Sequence, residues 1–347
     1  MNRCFLGLLL FMGPALALAA EPPKTSAKLP RTPIACDLML LAPAPPGVGE
    51  TDSTVVGDID GDGKPELITN AMYCKTPGLY AYKPGADPTQ PWKKQLIQTG
   101  LHLEGTAAGD LEGKGPMDLV CGPYWFSPPA AGPFSGQAWR QHKFAPGFRD
   151  WCRAAVIDVN GDRRLDIVLA EDEYPDGHLS WFENRVGVDV QHPWLEHPIE
   201  SRLIFAHTLQ AWRNAKTQAV SVLVAGYHNR THSEIFEAPD NPTSPWTRRV
   251  LADIPYGEEM VACDLDGDGK PEIVAAEHDP FKPYQSRCRL FVYKLADPKG
   301  TAWFRYMLDD RFEQHCGAKA VEIAPRKFGI LGHGWMESRY VHLWRPD

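Results

Sequence analysis

One unit recurs along this chain and limits its fold more than any other feature. Four segments place an acidic turn between two apolar runs: Asp58-Ile-Asp-Gly-Asp-Gly-Lys-Pro-Glu66, Asp110-Leu-Glu-Gly-Lys-Gly-Pro-Met-Asp118, Asp158-Val-Asn-Gly-Asp-Arg-Arg-Leu-Asp166 and Asp264-Leu-Asp-Gly-Asp-Gly-Lys-Pro-Glu272. Two further copies, around Trp212 and Glu322, keep the phase without the acids. The period is roughly 50 residues, long enough for one supersecondary unit. A second marker holds the same phase: Trp92, Trp139, Trp194, Trp246 and Trp303 each open a short run that ends apolar. Between the two markers lies an aromatic run, as at 79–82, 179–182 and 290–293.

Each unit therefore holds four short strands: one before the acidic turn, one after it, an aromatic third and a Trp-led fourth. A lone sheet of this size cannot bury both of its faces, whereas a ring of them can. The fold expected is all-β, a six-bladed β-propeller. A seven-bladed ring is the alternative, but the six anchors leave no room for another unit. The sixth unit stops at its third strand, 340–344, and a strand-like run at 36–41 precedes the first unit. That run is expected to complete the last blade, which would remove two open sheet edges.

Residues 1–20 read as a signal peptide, with basic Arg3, an apolar core and a small-residue end at Ala19-Ala20. Residues 21–34, rich in Pro and Lys, read as a flexible leader, and 35–347 as a single propeller domain. The expected location is secreted or periplasmic. The formal charge is −8, and loss of Arg3 makes it one unit more acidic. An acidic chain without a basic block argues against nucleic-acid binding. No later run is long and apolar enough to span a membrane. Of the eight cysteines only Cys4 falls in the signal peptide, so an odd number remains and at least one thiol is unpaired. Cys121 and Cys263 sit in apolar strand runs, which suits packing.

The acidic turns carry the clearest chemistry. Alternate residues of a tight turn can aim oxygens inward, as a hard cation requires. Calcium ligands expected on this basis are Asp58, Asp60, Asp62 and Glu66; Asp158, Asn160, Asp162 and Asp166; and Asp264, Asp266, Asp268 and Glu272. The turn at 110 has Lys114 in a ligand position, which repels calcium. An EF-hand needs Glu at position twelve, where this chain has Thr69 and Ala275, and its flanks here favour strands. Structural Ca2+ is the expectation. These turns, with the six-fold period, resemble the FG-GAP/VCBS repeat family of propellers. A looser similarity links the Trp-led strands to the propeller of the aldos-2-ulose dehydratases. The first resemblance implies fold more than activity, because that family spans adhesion and carbohydrate-active proteins.

In a propeller, first strands begin and second strands end on one face, around the axis, away from the acidic turns. Six of the 12 histidines fall in those windows: His102, His207, His228, His278, His315 and His333. Three functions compete for this face. The first is binding of a carbohydrate-like ligand by Tyr124, Trp125, Arg153, Tyr227, His228 and Trp335. The second is a metal-assisted sugar lyase or dehydratase, using His207, His278, His315 and His333 around Zn2+ or a similar ion, with Glu104 or Glu258 moving protons. The third is a protein-interaction or adhesion module. No HExxH, GxSxG, P-loop or GxGxxG pattern is present, which sets aside peptidases, esterases and nucleotide-dependent enzymes.

Overall fold

A computed structural model describes residues 36–43, 51–71, 77–87, 90–203, 206–214, 217–226, 233–251, 259–276, 289–297, 302–311, 318–325, 327–333 and 340–346. Only backbone is described at 36–43, 51–54, 71, 333, 340 and 341. The expected signal peptide and leader, 1–20 and 21–34, lie outside these residues. Among the described residues the chain forms six antiparallel sheets of four strands each.

Strand β1 (Cys36–Pro43) comes first in sequence and belongs to the last sheet. Blade 1 contains β2 (Thr51–Gly57), β3 (Glu66–Ala71), β4 (Gly78–Lys83) and β5 (Lys93–Thr99). Blade 2 contains β6 (Thr106–Gly109), β7 (Asp118–Cys121), β8 (Tyr124–Ser127) and β9 (Arg140–Lys143). Blade 3 contains β10 (Cys152–Ile157), β11 (Asp166–Glu171), β12 (Gly177–Asn184) and β13 (Trp194–Leu203). Blade 4 contains β14 (Ala206–Arg213), β15 (Val220–Gly226), β16 (Ser233–Glu237) and β17 (Thr247–Leu251). Blade 5 contains β18 (Glu259–Cys263), β19 (Glu272–Ala276), β20 (Leu290–Leu295) and β21 (Trp303–Asp309). Blade 6 contains β22 (Lys319–Ala324), β23 (Lys327–His333) and β24 (Tyr340–Pro346), and β1 pairs antiparallel with β24 as its outermost strand. The expected closure by an N-terminal strand is therefore observed, and the fold is the six-bladed propeller.

The packing follows from strand periodicity. Side chains alternate between faces, so a strand sandwiched between two neighbouring sheets must be apolar on both. In β11 every residue is buried. Val168 and Ala170 pack with blade 4 (Leu209, Val222, Phe236), while Ile167 and Leu169 pack with blade 2 (Val120, Trp125). Comparable clusters fill the other junctions, ending with Val321 and Leu331 of blade 6 against Val56 and Leu67 of blade 1. Outer strands such as β9 face water and carry Arg140, Gln141 and Lys143. The inner strands β2, β6, β10, β14, β18 and β22 neighbour one another around the axis, with β22 beside β2. They enclose a cavity of about 300 Å³ walled by small residues, among them Gly105, Ala107, Ala154, Ala211 and Ala262. Cys121, Cys152 and Cys263 are buried free thiols, as the apolar context of Cys121 and Cys263 predicts.

Candidate functional site

The axial cavity has charge at the end where the inner strands begin. Arg153, near the start of β10, is 3% exposed. Its Nε donates to Asp172 Oδ2 at 2.5 Å, and its terminal nitrogens lie 3.4 Å from Glu259 Oε1 and 3.8 Å from Glu104 Oε2. One terminal nitrogen also stands 3.0 Å from each ring nitrogen of His207. Glu173 Oε1 is 3.4 Å from His207 Nε2, and Lys319 Nζ donates to Glu259 Oε2 at 2.5 Å. Glu104, Asp172, His207 and Glu259 are all buried. Four carboxylates thus face two permanent cations.

Local backbone geometry brings these groups together. Gly105 has φ +67°, and a Cβ there would sit 2.0 Å from the Cys152 carbonyl oxygen, so only glycine lets blade 2 approach Arg153 this closely. The amide of Gly122 donates to the Glu104 carbonyl at 3.0 Å. Past β11 the chain turns sharply: Asp172 donates its amide to the Trp151 carbonyl at 3.0 Å, and Glu173 takes φ 56°. A parallel bridge between Asp172 and Ala206 then sets Asp172 beside His207. Ligand atoms of Glu104, Asp172 and His207 lie within 4.8 Å of one another. Asp172 Oδ1 is buried without a hydrogen-bond partner.

Several expected site residues are located by this geometry. Arg153, His207 and Glu104 do converge. Trp125 is a correction: it is 4% exposed, stacks on His142 at 4.0 Å and belongs to the junction of blades 2 and 3, so it offers no sugar-stacking plane. Alternation along β8 turns it into the sheet junction. Tyr124 packs against the blade 1–2 core with the Lys143 ammonium 5.4 Å over its ring, on the third strand and away from the axis. His102 is exposed. Tyr227, His228, Glu258, His278, His315 and Trp335 lie outside the described residues, as does the side chain of His333. Sequence reasoning placed Asp172 and Glu259 on this face without assigning them a role, and passed over Lys319. Half-buried Trp151 and Tyr174 stack at 6.2 Å, and the Arg149 guanidinium lies 3.5 Å over the Tyr174 ring; Tyr174 was passed over as well. A signal for Glu259 existed: Arg153 and Glu259 each stand five residues before the first Asp of their turns.

At the opposite end, the acidic turns show two arrangements. In blade 1, Asp58 accepts the amides of Asp62 and Gly63, and Glu66 Oε2 accepts that of Ile59 at 2.9 Å. The Lys83 ammonium stands among the remaining oxygens, 2.5 Å from Asp60, 2.7 Å from Asp62 and 3.6 Å from Glu66. Burial alone would pull Lys83 down, yet its bonds to Asp60 and Asp62 hold it above the usual lysine range. Burial pushes Glu66 up to about 7 and raises Glu272 as well. Blade 5 repeats the pattern: Lys294 bonds Asp266 and lies 3.3 Å from Asp268 and 3.4 Å from Glu272. In blade 3, Asp166 spends both oxygens on the amides of Val159 and Asn184, at 2.8 Å each. There Arg164 bonds Asp162 at 2.5 Å. The Asp58–Asp60–Asp62 and Asp264–Asp266–Glu272 groups each bring ligand atoms within 4.8 Å of one another, with Lys83 and Lys294 beside them.

Fold and mouth together define a six-bladed β-propeller with a buried ionisable cluster at one end of its axis. No protein-family model matches the sequence, and no curated protein sequence matches it. Among solved structures the chain is similar to a protein of unknown function from Dyadobacter fermentans DSM 18053, at 11% identity and TM-score 0.52, over 90% of this chain and 97% of that one. It is also similar to part of the Photorhabdus luminescens Tc holotoxin pore, at 13% identity and TM-score 0.48, over 92% of this chain and 15% of that one. The Dyadobacter likeness concerns the fold alone.

Proposed function

We propose that this chain is an exported propeller of the FG-GAP/VCBS type that binds a carbohydrate-like, polyhydroxylated ligand at the axial mouth. One observation carries this: Glu104, Arg153, Asp172, His207 and Glu259, each at most 3% exposed, converge from four blades on one point. Buried charge is a poor source of stability, so a cluster of it beside a cavity suits ligand recognition. Carboxylate acceptors interleaved with guanidinium and imidazole match the donor and acceptor faces of hydroxyl groups. The cavity, about 300 Å³, has the size of a small-ligand pocket. The test is a panel of neutral, amino and uronic sugars, followed by calorimetry and thermal shift on wild type and His207→Gln. At least one sugar should bind, and His207→Gln should weaken it about tenfold with little change in melting temperature. Silence across the panel at millimolar sugar would sink this proposal.

The grouping of Glu104, Asp172 and His207 favours a second function, a metal-assisted lyase or dehydratase. Two carboxylates and one imidazole could hold a transition metal with open positions, which would polarise a substrate oxygen. Arg153 would have to swing away from His207, and Glu173, 3.4 Å from that ring, would be placed to move a proton. Metal analysis separates the two: a transition metal retained by wild type and lost in His207→Gln supports the enzyme.

A further inference from the structure

The acidic turns of blades 1 and 5 differ from those of blades 2 and 3 at two positions that the sheets set face to face. The ninth turn residue is Glu66 or Glu272 in the first pair, and Asp118 or Asp166 in the second. Pairing of Leu67 with Tyr82 and of Ile273 with Tyr293 puts Lys83 and Lys294 opposite those glutamates, one step further on. The same step yields Ser127 in blade 2 and Glu183 in blade 3. Opposed side chains on one face of an antiparallel pair lie about 5 Å apart at Cβ, within easy reach of each other.

Side-chain length explains why the two changes go together. Glutamate can cap the turn's backbone with one oxygen and turn the other inward, as Glu66 does with Ile59 and Lys83. Aspartate is one methylene shorter, and in blade 3 both of its oxygens go to backbone amides. So where a turn offers an inward carboxylate oxygen, the third strand supplies an ammonium. In blade 3, where it does not, the third strand has Glu183 in place of lysine.

We infer that Lys83 and Lys294 take the place of a divalent cation, so that blades 1 and 5 are held by the chain's own ammonium groups and not by calcium. A tethered cation acts at a high effective concentration and loses little entropy on docking. Calcium seeks six to eight oxygen ligands; in blade 1 Asp58 already accepts backbone amides on both oxygens, whereas in blade 5 Asp264 uses only Oδ2, for the amide of Gly269. The inference concerns the turns alone and does not depend on what the axial mouth binds. It also predicts that removing the ammonium leaves an acidic cage that calcium can enter.

The test is calcium counting by equilibrium dialysis on the full chain after chelation. Three proteins are compared: wild type, Lys83→Met with Lys294→Met, and Asp60→Asn with Asp266→Asn. Wild type should hold no more calcium than the Asn variant. The Met variant should gain one ion per altered turn and a melting temperature that rises with calcium. Two results overturn the inference: wild type holding more calcium than the Asn variant, or a folded Met variant gaining none. Should the Met variant fail to fold, the comparison of wild type with the Asn variant decides by itself.

Discussion

Replacing Arg153 by methionine tests the axial cluster most directly. The side chain is 4% exposed, and its loss would leave Asp172 buried without its 2.5 Å partner. Asp172 Oδ1 has no hydrogen-bond partner to share the load. Glu259 would keep Lys319 at 2.5 Å, so the damage centres on Asp172. Removing one member of a buried ion pair costs about 3–5 kcal/mol, because the other charge stays desolvated. With an unfolding entropy near 2.1 cal/mol/K per residue, a chain of this length should lose about 4–7 °C in melting temperature. Adding Asp172→Asn removes the stranded charge, so the double variant should recover most of the loss, with a coupling of about 2–3 kcal/mol. Chemical denaturation of the four proteins in the cycle measures this. A loss under about 1 kcal/mol, or strict additivity, would mean that water reaches Asp172 and the cluster is not the sealed site described above.

Three further predictions follow from other parts of the ring. Burial pushes Asp118 up to about 7. Its neutral form is therefore favoured by folding, and the stability it contributes is full below the unfolded value of about 3.9 and lost as pH rises through about 7. Asp118→Asn keeps an oxygen for the amides of Leu111 and Glu112, so it should match wild type near pH 4 and exceed it at pH 8 by at most about 4 kcal/mol in urea titrations; an advantage that grows toward acid would contradict the burial argument. Gly105→Ala should cost at least about 1–3 kcal/mol for its left-handed backbone, more for the contact with Cys152, and should weaken ligand binding by displacing Arg153, as calorimetry can show. Trp125→Ala should cost about 3–5 kcal/mol in stability and leave axial binding intact, whereas a loss of binding without a loss of stability would return it to the site.

The sequence alone determined the ring. Blade number, strand order within a blade and closure by the run at 36–41 all follow from a repeat whose phase is written in apolar runs, tryptophans and turns. These are local signals, since a strand alternates its faces and a turn needs its residues whatever lies beyond. The turn carboxylates and the polar rim near Arg153 and His207 were legible for the same reason. Blades 4 and 6 lack the acidic turn, which left no fixed point from which to count to Lys319.

Tertiary structure decided which side chains meet. Trp125 looked available until the packing of blade 2 on blade 3 enclosed it with His142 and Phe144. Asp172 joined the site because a sharp turn and a bridge to Ala206 put it beside His207. Lys83 and Lys294 entered the acidic turns because the register of β4 on β3 and of β20 on β19 sets them opposite Glu66 and Glu272, 17 and 22 residues away in sequence. Periodicity along a chain fixes the elements, but charge neutralisation is a property of space. Which cation answers which carboxylate was settled only when the sheets paired and the ring closed.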